Sequence, residues 1–377
     1  MTDKAGLYVH LPYCRSRCGY CAFVVSTDES SRGEYLAALA AEATIVAPEA
    51  ASDRFDSLYL GGGTPSLVPE GDLEILLDGL RNRFSFSGDA EVTLEANPED
   101  LTDEKRDAWR RAGVNRVSLG VQSFEDGELS AVGRRHDSSG ARRAIDVLGA
   151  SELSLSADLI LGLPGQTQAS FRRSLETVIA AGFGHLSIYL LETEKSRSMH
   201  EDRRAHPERY LSDEEQADSW IDAGETLAGR GFHHYEISNW SRPECEARHN
   251  VKYWTRTPTL GLGISAHELW AGRRRANVSA IPQYVSTLSE GRRPVALDQV
   301  VGEQEAAKER IVLGLRLSHG VGEEELEAWI AGDHEDPLLA DDYRVWFEAG
   351  LLEKENGRAR FTERGFLLSN EILCRFV

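Results

Sequence analysis

The chain has 377 residues, 41% of them hydrophobic, and a formal net charge of −20 at pH 7. This length exceeds one small domain and suits a barrel with an appended domain. The acidic charge argues against general nucleic-acid binding and against a polybasic membrane anchor. No run of about 18 apolar residues predicts a transmembrane helix, and no apolar signal-peptide region is present, so we expect a cytoplasmic protein.

Three of the five cysteines follow the first predicted strand, residues 7–10, in a C-x3-C-x2-C pattern. They are Cys14, Cys18 and Cys21, on the loop that leaves the carboxyl end of the strand. Three thiolates can hold three irons of a [4Fe–4S] cluster and leave the fourth iron open to another ligand. The spacing alone also allows a zinc site with His10 as the fourth ligand, or three unrelated thiols. The clustering does not form a disulfide framework, which agrees with a reducing compartment.

A glycine-rich turn follows the second predicted strand, residues 57–60. Residues 61–65 read Gly-Gly-Gly-Thr-Pro, and consecutive glycines let the backbone approach a ligand closely. Alone, the motif would also fit a flexible turn. Because it follows a cysteine triplet on the preceding strand, it indicates a cofactor site.

Predicted strands alternate with amphipathic helices through the first 232 residues. Such repeats imply a parallel sheet with right-handed crossovers. Six units are too few for an eight-stranded barrel, so we predict an α/β fold with a partial (β/α)6 barrel. The predicted strands are residues 7–10, 57–60, 91–95, 116–120, 155–159 and 185–190, and the predicted helices are 33–46, 70–84, 102–112, 170–181 and 212–229.

Polar side chains stand at or near the ends of three successive strands. They are Glu95, Gln122 and Asp158. Any one of them could be a surface residue or a structural hydrogen-bonding group. In parallel barrels the carboxyl ends of the strands form the active site, so the three together predict a binding or catalytic site there.

The pattern changes after residue 232. We predict one further strand at 232–240 and a polar linker at 285–308. Predicted helices at 305–315, 323–330 and 341–349, followed by a hairpin, are typical of an α+β winged-helix-like domain. In so acidic a chain we expect this domain to pack on the barrel or cover a substrate rather than bind DNA. The predicted domains are 1–232, 233–300 and 301–377.

The cysteine triplet and the glycine turn resemble those of the radical S-adenosylmethionine (SAM) superfamily, and nearly the whole chain resembles its coproporphyrinogen dehydrogenase-like branch. The resemblance implies a [4Fe–4S] cluster on Cys14, Cys18 and Cys21, with SAM chelating the open iron through its amino and carboxylate groups. In that superfamily, one electron from the cluster cleaves the sulfonium and yields a 5′-deoxyadenosyl radical. The motifs that carry the resemblance are residues 8–14, 61–65, 95–98, 120–124, 158–160 with 162–164, and 249–254.

By position in these motifs, the resemblance also implies a set of SAM contacts. Arg134 belongs to the set because it stands twelve residues after Gln122, where the family has a basic contact. A solvated helix charge is the alternative for Arg134. The implied contacts are Tyr8, Tyr20, Gly62, Gly63, Thr64, Glu95, Gln122, Arg134 and Asp158.

Residues 249–254 read His-Asn-Val-Lys-Tyr-Trp, which resembles the H-N-x-x-Y-W signature of the haem-chaperone group in this branch. There the histidine is tied to haem binding, so the resemblance implies His249 as a haem ligand. Tyr253 and Trp254 would offer apolar surface to the porphyrin at a barrel-mouth cavity, and a structural loop histidine is the alternative. The competing histidines are His233, His234 and His267.

Two functions therefore compete. The first is a haem chaperone that hands haem to an acceptor apoprotein and takes electrons from a donor such as a flavodoxin or ferredoxin. The second is an oxygen-independent coproporphyrinogen III dehydrogenase, or another radical SAM oxidoreductase. The dehydrogenases have a further cysteine where this chain has Phe23, which favours the chaperone and speaks against dehydrogenase activity. Two departures stay unassigned: Ala22, where the chaperone group usually has aspartate, and residues 192–209.

Overall fold

The computed structural model of the chain describes residues 4–332 and 338–376. Its strands are β1 Ala5–Leu11, β2 Arg54–Gly62, β3 Ser85–Ala96, β4 Arg116–Gln122, β5 Ser154–Leu161, β6 His185–Leu190, β7 His233–Glu236, β8 Asn239–Ser241, β9 Thr259–Leu262, β10 His267–Trp270, β11 Arg273–Asn277, β12 Val295–Val300, β13 Val321–Gly322, β14 Leu352–Glu355 and β15 Arg358–Phe361. Its α-helices are α1 Arg32–Val46, α2 Glu70–Arg81, α3 Asp103–Arg111, α4 Asp126–Ala131, α5 Ser138–Gly149, α6 Gln168–Ala180, α7 Arg197–Ala205, α8 Asp213–Ala228, α9 Arg248–Trp254, α10 Ile281–Ser289, α11 Glu303–Gly314, α12 Glu323–Ile330, α13 Leu339–Glu348, α14 Glu363–Leu367 and α15 Ser369–Leu373.

Strands β1 to β6 lie side by side in chain order and are all parallel, which confirms the predicted partial barrel. Their outward residues are apolar and pack under the helices; Leu60, Leu94 and Leu159, for example, are fully buried. Their inward residues are polar and bond across the lumen, as Tyr59 does with Glu95. This division of the two faces follows from the two-residue period of a strand.

The segment from β7 to β12 adds strands to both edges of the parallel sheet. Within the described residues the strand order is β12-β11-β10-β9-β1-β2-β3-β4-β5-β6-β8-β7. Strand β9 pairs parallel to β1, whereas β8 pairs antiparallel to β6. Residues 232–240, predicted as one strand, form the β7–β8 hairpin instead.

The linker prediction for residues 285–308 was wrong. These residues contain the end of α10, all of β12 and the beginning of α11. Strand β12 pairs antiparallel with β11 and lies at the edge of the sheet, with most of its side chains exposed. Edge strands are often polar because one side faces solvent, so their composition resembles that of a linker.

The C-terminal part forms its own α+β unit, as predicted. Its three-stranded sheet has the order β13-β15-β14, and its apolar cluster is separate from the barrel core. The unit joins the barrel through main-chain bonds: the Ile237 N–H donates to the Arg316 carbonyl (2.9 Å) and the Ser318 N–H to the Tyr235 carbonyl (3.1 Å). In the described part of the chain, no helix combines the length and apolar character that a membrane crossing requires.

Candidate cofactor site

The cysteine loop leaves β1 and is fastened at both of its ends. The Cys14 N–H donates to the Ser26 carbonyl (2.9 Å), and the Ser26 N–H donates to the Pro12 carbonyl (2.8 Å). His10 supports the loop from below, since its Nε2 bonds the Val24 carbonyl at 2.9 Å and its Nδ1 bonds the Tyr8 hydroxyl at 3.0 Å. With both ring nitrogens engaged, His10 is not available as a fourth metal ligand, which speaks against the zinc alternative.

The three thiols of this loop are free and have hydrogen-bond donors directed at them. Burial raises the pKa of the Cys14 thiol to about 11. The Thr64 hydroxyl donates to Cys14 Sγ (3.3 Å), and Arg134 Nη1 lies 3.8 Å from Cys18 Sγ. Among the described residues, no three side chains of His, Cys, Asp or Glu converge as ligands of a single ion. Three free thiols on one loop are the kind of donors that hold three irons of an iron–sulfur cluster.

The glycine turn after β2 packs directly against the cysteine loop. Gly62 has φ +112°, and a Cβ there would lie 2.5 Å from His10 Cε1. A Cβ on Gly63 would lie 2.6 Å from the Pro12 carbonyl carbon. The N–H groups of Gly63 and Thr64 donate to the Leu11 and Tyr13 carbonyls, at 2.9 and 2.8 Å. The glycines are therefore needed to pack two loops together, a role that the sequence did not reveal.

Two carboxyl groups face the lumen below this turn. Glu95 accepts hydrogen bonds from the Tyr59 hydroxyl (2.8 Å) and the Gly62 N–H (3.0 Å). Burial, followed by the charge of Asp158, raises the pKa of Glu95 to about 7. Burial also raises the pKa of Asp158 to about 6, against the opposing effect of hydrogen bonds from Ser187 and Ser118. Carboxyl groups desolvated in this way favour a cationic ligand, which would restore their ordinary ionisation.

Arg134 lies beside the cysteine loop and is not a solvated helix charge. Its Nη2 donates to Asn97 Oδ1 (2.8 Å) and to the Gly120 carbonyl (2.7 Å), while Nη1 approaches the Cys18 thiol. Its buried Nε has no hydrogen-bond partner among the described atoms. Gln122 ends β4 with φ +66°, so the chain turns sharply beside this arginine.

The structure thus gathers the predicted cysteines and most predicted SAM contacts at the carboxyl ends of β1 to β5. Several lumen residues were missed by the sequence reasoning. Three of them lie opposite Tyr8, Glu95 and Asp158 in the strand register, which is the signal that could have found them, and the fourth lies two residues after one of these three. They are Tyr59, Ser118, Ser187 and Tyr189.

Residues 192–209, unassigned from the sequence, cover the cysteine loop. Ser196 donates its hydroxyl to the Gly19 carbonyl at 2.5 Å. Met199, on α7, is buried, and its sulfur would lie 3.2 Å from a Cβ at Gly19. This segment therefore holds the backbone between Cys18 and Cys21 in place.

A buried acidic side chain fixes the turn between β9 and β10. Glu42 on α1 accepts hydrogen bonds from the Gly263 N–H (2.8 Å), the Asn277 amide (2.6 Å) and the Tyr284 hydroxyl (2.5 Å). Burial raises the pKa of Glu42 to about 7. Gly263, with φ +96°, packs against the backbone of His10. The hydrogen bonds of Glu42 therefore stabilise the turn that contacts the end of β1.

His249 lies apart from the cysteine loop, beside the first half of β1 and β2. Its ring stacks on Tyr59 with a centroid distance of 5.3 Å, and it is fully buried. Its Nδ1 bonds Ser57 Oγ at 2.9 Å and its Nε2 bonds the Tyr253 hydroxyl at 3.0 Å. A Cβ on Gly6 would touch the ring, and Gly6 stands about 20 Å along the strand from Pro12. The expected histidine at the barrel mouth is therefore an interior residue with both nitrogens bonded.

The neighbours of His249 also differ from the expected porphyrin wall. The Trp254 indole lies under the Arg316 guanidinium, 5.5 Å from the ring centroid. Among the competing histidines, His234 stacks on Trp240 and His233 bonds Glu246. The exposed ring of His267 makes no hydrogen bond within the described residues.

Comparisons with known proteins agree with this geometry. Residues 8–178 match the family model of the radical SAM superfamily, and residues 301–368 match that of the HemN C-terminal domain. The structure is similar to that of the coproporphyrinogen III oxidase HemN from Escherichia coli, a radical SAM enzyme. The TM-score is 0.83 at 22% identity, covering 100% of this chain and 91% of that one. That likeness shows the fold, and fold and cysteine motif together define a radical SAM protein.

Two curated relatives extend the similarity over nearly the full length. The heme chaperone HemW of Bacillus subtilis is 31% identical, covering 98% of each chain. The heme chaperone HemW of Mycobacterium tuberculosis is 33% identical, covering 98% of this chain and 93% of that one. The chain belongs to the HemW family.

Proposed function

We propose that this protein is a haem chaperone, which binds haem, carries a [4Fe–4S] cluster and SAM, and delivers haem to an acceptor protein. One observation carries the proposal. The chain is similar, over both the barrel and the C-terminal unit, to proteins that are named heme chaperones. Phe23 supports it too, because the side chain is 67% exposed on the cysteine loop at the position where the dehydrogenases have a cysteine.

The site geometry supports a division of roles among the residues at the carboxyl ends of the strands. Cys14, Cys18 and Cys21 would hold the cluster, which supplies one electron when reduced. Glu95 would bind a cationic group of SAM, because its carboxylate lacks a positive partner and its pKa is raised. The remaining proposed SAM contacts are Tyr8, Tyr20, Gly62, Gly63, Thr64, Gln122, Arg134 and Asp158.

A cytoplasmic location and electron supply from a flavodoxin or ferredoxin complete the proposal. The Thr64 and Arg134 donors at Cys14 and Cys18 would stabilise the negative charge that a reduced cluster gains, since hydrogen bonds to sulfur raise its reduction potential. Phe23 and Ala22 leave the front of the loop exposed, so an electron donor could approach there.

The test begins with anaerobic reconstitution of the full chain. We expect about four irons per chain, lost in Cys14→Ala, Cys18→Ala and Cys21→Ala but retained in the matched controls Cys245→Ala and Cys374→Ala. Haem titration should then give saturable binding with a Soret shift. Absence of haem binding by the reconstituted protein would overturn the chaperone function.

The oxidoreductase alternative is tested with the same reconstituted protein. Coproporphyrinogen III is incubated with SAM and a strong reductant, and the tetrapyrroles are separated by chromatography. We expect no protoporphyrinogen IX. Decarboxylated product would instead favour the dehydrogenase.

A further inference from the structure

Tyr253 is the accessible member of a hydrogen-bonded pair with His249. Both lie on α9, four residues apart and hence on one helix face. The Tyr253 side chain is 40% exposed, whereas His249 is fully buried. Their contact joins Tyr253 Oη to His249 Nε2 at 3.0 Å. A ligand arriving at α9 therefore reaches Tyr253 before the imidazole of His249.

The surroundings of His249 assign the roles of its two nitrogens. Burial, followed by the charge of Lys252, lowers the pKa of His249 to about 3, so the ring is neutral. A neutral imidazole has one donor and one acceptor. A phenol is a stronger donor than an aliphatic hydroxyl, so Tyr253 donates to Nε2, and the Nδ1–H donates to Ser57 Oγ. The stacked ring of Tyr59 fixes the imidazole plane.

We propose that Tyr253, not His249, provides the atom that binds the iron of ferric haem, and that His249 is a positioning residue. The inference rests on the proposed haem-chaperone function and deepens it. Tyrosine oxygen is an established class of axial haem ligand. The Fe(III)–Oη bond forms as the phenol O–H bond breaks, and one proton is released to solvent while His249 stays neutral. No change of oxidation state is involved.

The alternative, iron bound by His249 itself, requires more rearrangement. The ring would have to give up its bond to Ser57 or to Tyr253 and leave a position with no exposed surface. The hydroxyl of Ser57 or Tyr253 would then lose its hydrogen-bond partner, and leaving a buried polar group unpaired costs free energy. Tyr253 keeps its hydrogen bond in the haem complex, because the neutral imidazole can take the tautomer in which its Nε2–H donates to the phenolate and its Nδ1 accepts from the Ser57 hydroxyl.

The location also suits a cargo that must be both bound and released. Burial, followed by the charge of Glu95, raises the pKa of Tyr253. The phenol is therefore protonated in the haem-free protein, and only a strong Lewis acid such as ferric iron displaces the proton. When the iron leaves, the phenolate takes up a proton from solvent, which restores the neutral pair.

The test compares four variants of the full chain by haem titration, absorption and electron paramagnetic resonance spectra. Tyr253→Phe should lose the phenolate-to-iron charge-transfer band and weaken haem binding by at least about tenfold. His249→Gln should keep the band in shifted form and bind about tenfold more weakly. Tyr253→His should replace the phenolate spectrum by an imidazole one. Tyr343→Phe, which removes a phenol on α13 of the C-terminal unit, is the matched control and should match the wild type.

The possible results separate the ligand assignment from the proposed function. If Tyr253→Phe keeps the wild-type spectrum and His249→Gln loses it, the histidine binds the iron and the assignment is overturned while haem binding stands. If both variants match the wild type, the ligand lies elsewhere and the assignment is again overturned. If the wild type binds no haem, the proposed function itself fails. Circular dichroism and cluster iron content confirm that each variant is folded.

Discussion

Replacing Gly62 by alanine is expected to destabilise the protein by about 3–6 kcal/mol, much more than the same change at Gly182. Both glycines have a positive φ, +112° and +82°, and an L-residue in such a conformation costs about 1–2 kcal/mol. At Gly182 a Cβ would meet no atom within 4 Å, so the backbone cost stands alone there.

At Gly62 the new Cβ would overlap the His10 ring, 2.5 Å from Cε1 and 2.6 Å from Nδ1. Overpacking of this kind adds about 1–3 kcal/mol. The displaced ring would also weaken its bonds to Tyr8 and the Val24 carbonyl, each worth about 1 kcal/mol. Because Val24 belongs to the cysteine loop, we expect Gly62→Ala to lose the cluster faster in air as well. A larger side chain, as in Gly62→Val, should therefore disturb the cluster and not SAM binding alone.

Urea unfolding of the two apo-variants measures the difference in free energy. Absorbance decay of the reconstituted proteins in air measures cluster loss. The reasoning is refuted if the unfolding free energies of Gly62→Ala and Gly182→Ala agree within about 0.5 kcal/mol.

Thr64→Val removes the hydroxyl that donates to Cys14 Sγ at 3.3 Å, so the cluster should form with a more negative reduction potential; an unchanged potential in a redox titration would contradict this. In the folded protein, burial raises the pKa of Glu42 from 4.5 to about 7. Between pH 4.5 and pH 7 the Glu42 carboxyl is therefore protonated in the folded state and ionised in the unfolded state. The wild type should therefore gain up to about 3 kcal/mol over Glu42→Gln as the pH falls from 7 to 4.5; parallel pH profiles in urea unfolding would rule this out. SAM should tighten haem binding, because a cation beside Glu95 offsets the charge that raises the pKa of Tyr253. Calorimetric haem titration with and without SAM checks this, and Glu95→Gln should abolish the difference.

The barrel and its cofactor end could be predicted because their signals are local. Strand period and helix spacing recur along the chain, and Thr102 caps α3 as its sequence indicates, accepting from the Lys105 N–H at 3.2 Å. Glu95 stands next to the last residue of β3 and Asp158 three residues before the end of β5, and parallel strands bring their carboxyl halves together. Each of these inferences needs only a short window of sequence and one topological rule.

The position of His249 could not be predicted in this way. The serine that bonds its ring, Ser57, is 192 residues away in the chain, and no local pattern specifies that pairing. The motif around His249 indicates a role in haem binding but not which atom contacts the haem. The two candidates differ in solvent exposure, since Tyr253 is exposed and His249 is buried. The packing role of Gly62 could not be predicted for the same reason, because it depends on contact with His10 in another strand.

The lumen connects the cofactor end of the barrel to α9 through a short series of contacts. Glu95 accepts from the Gly62 N–H in the glycine turn and from the Tyr59 hydroxyl, and the Tyr59 ring stacks on His249. His249 in turn bonds Tyr253. Since the charge of Glu95 also acts on the Tyr253 hydroxyl, we expect a ligand that changes this charge to change the free energy of ligand binding at Tyr253, with a reverse effect of the same size. In a carrier built this way, the cofactor end can set how tightly the cargo is held without any chemical step on the cargo itself.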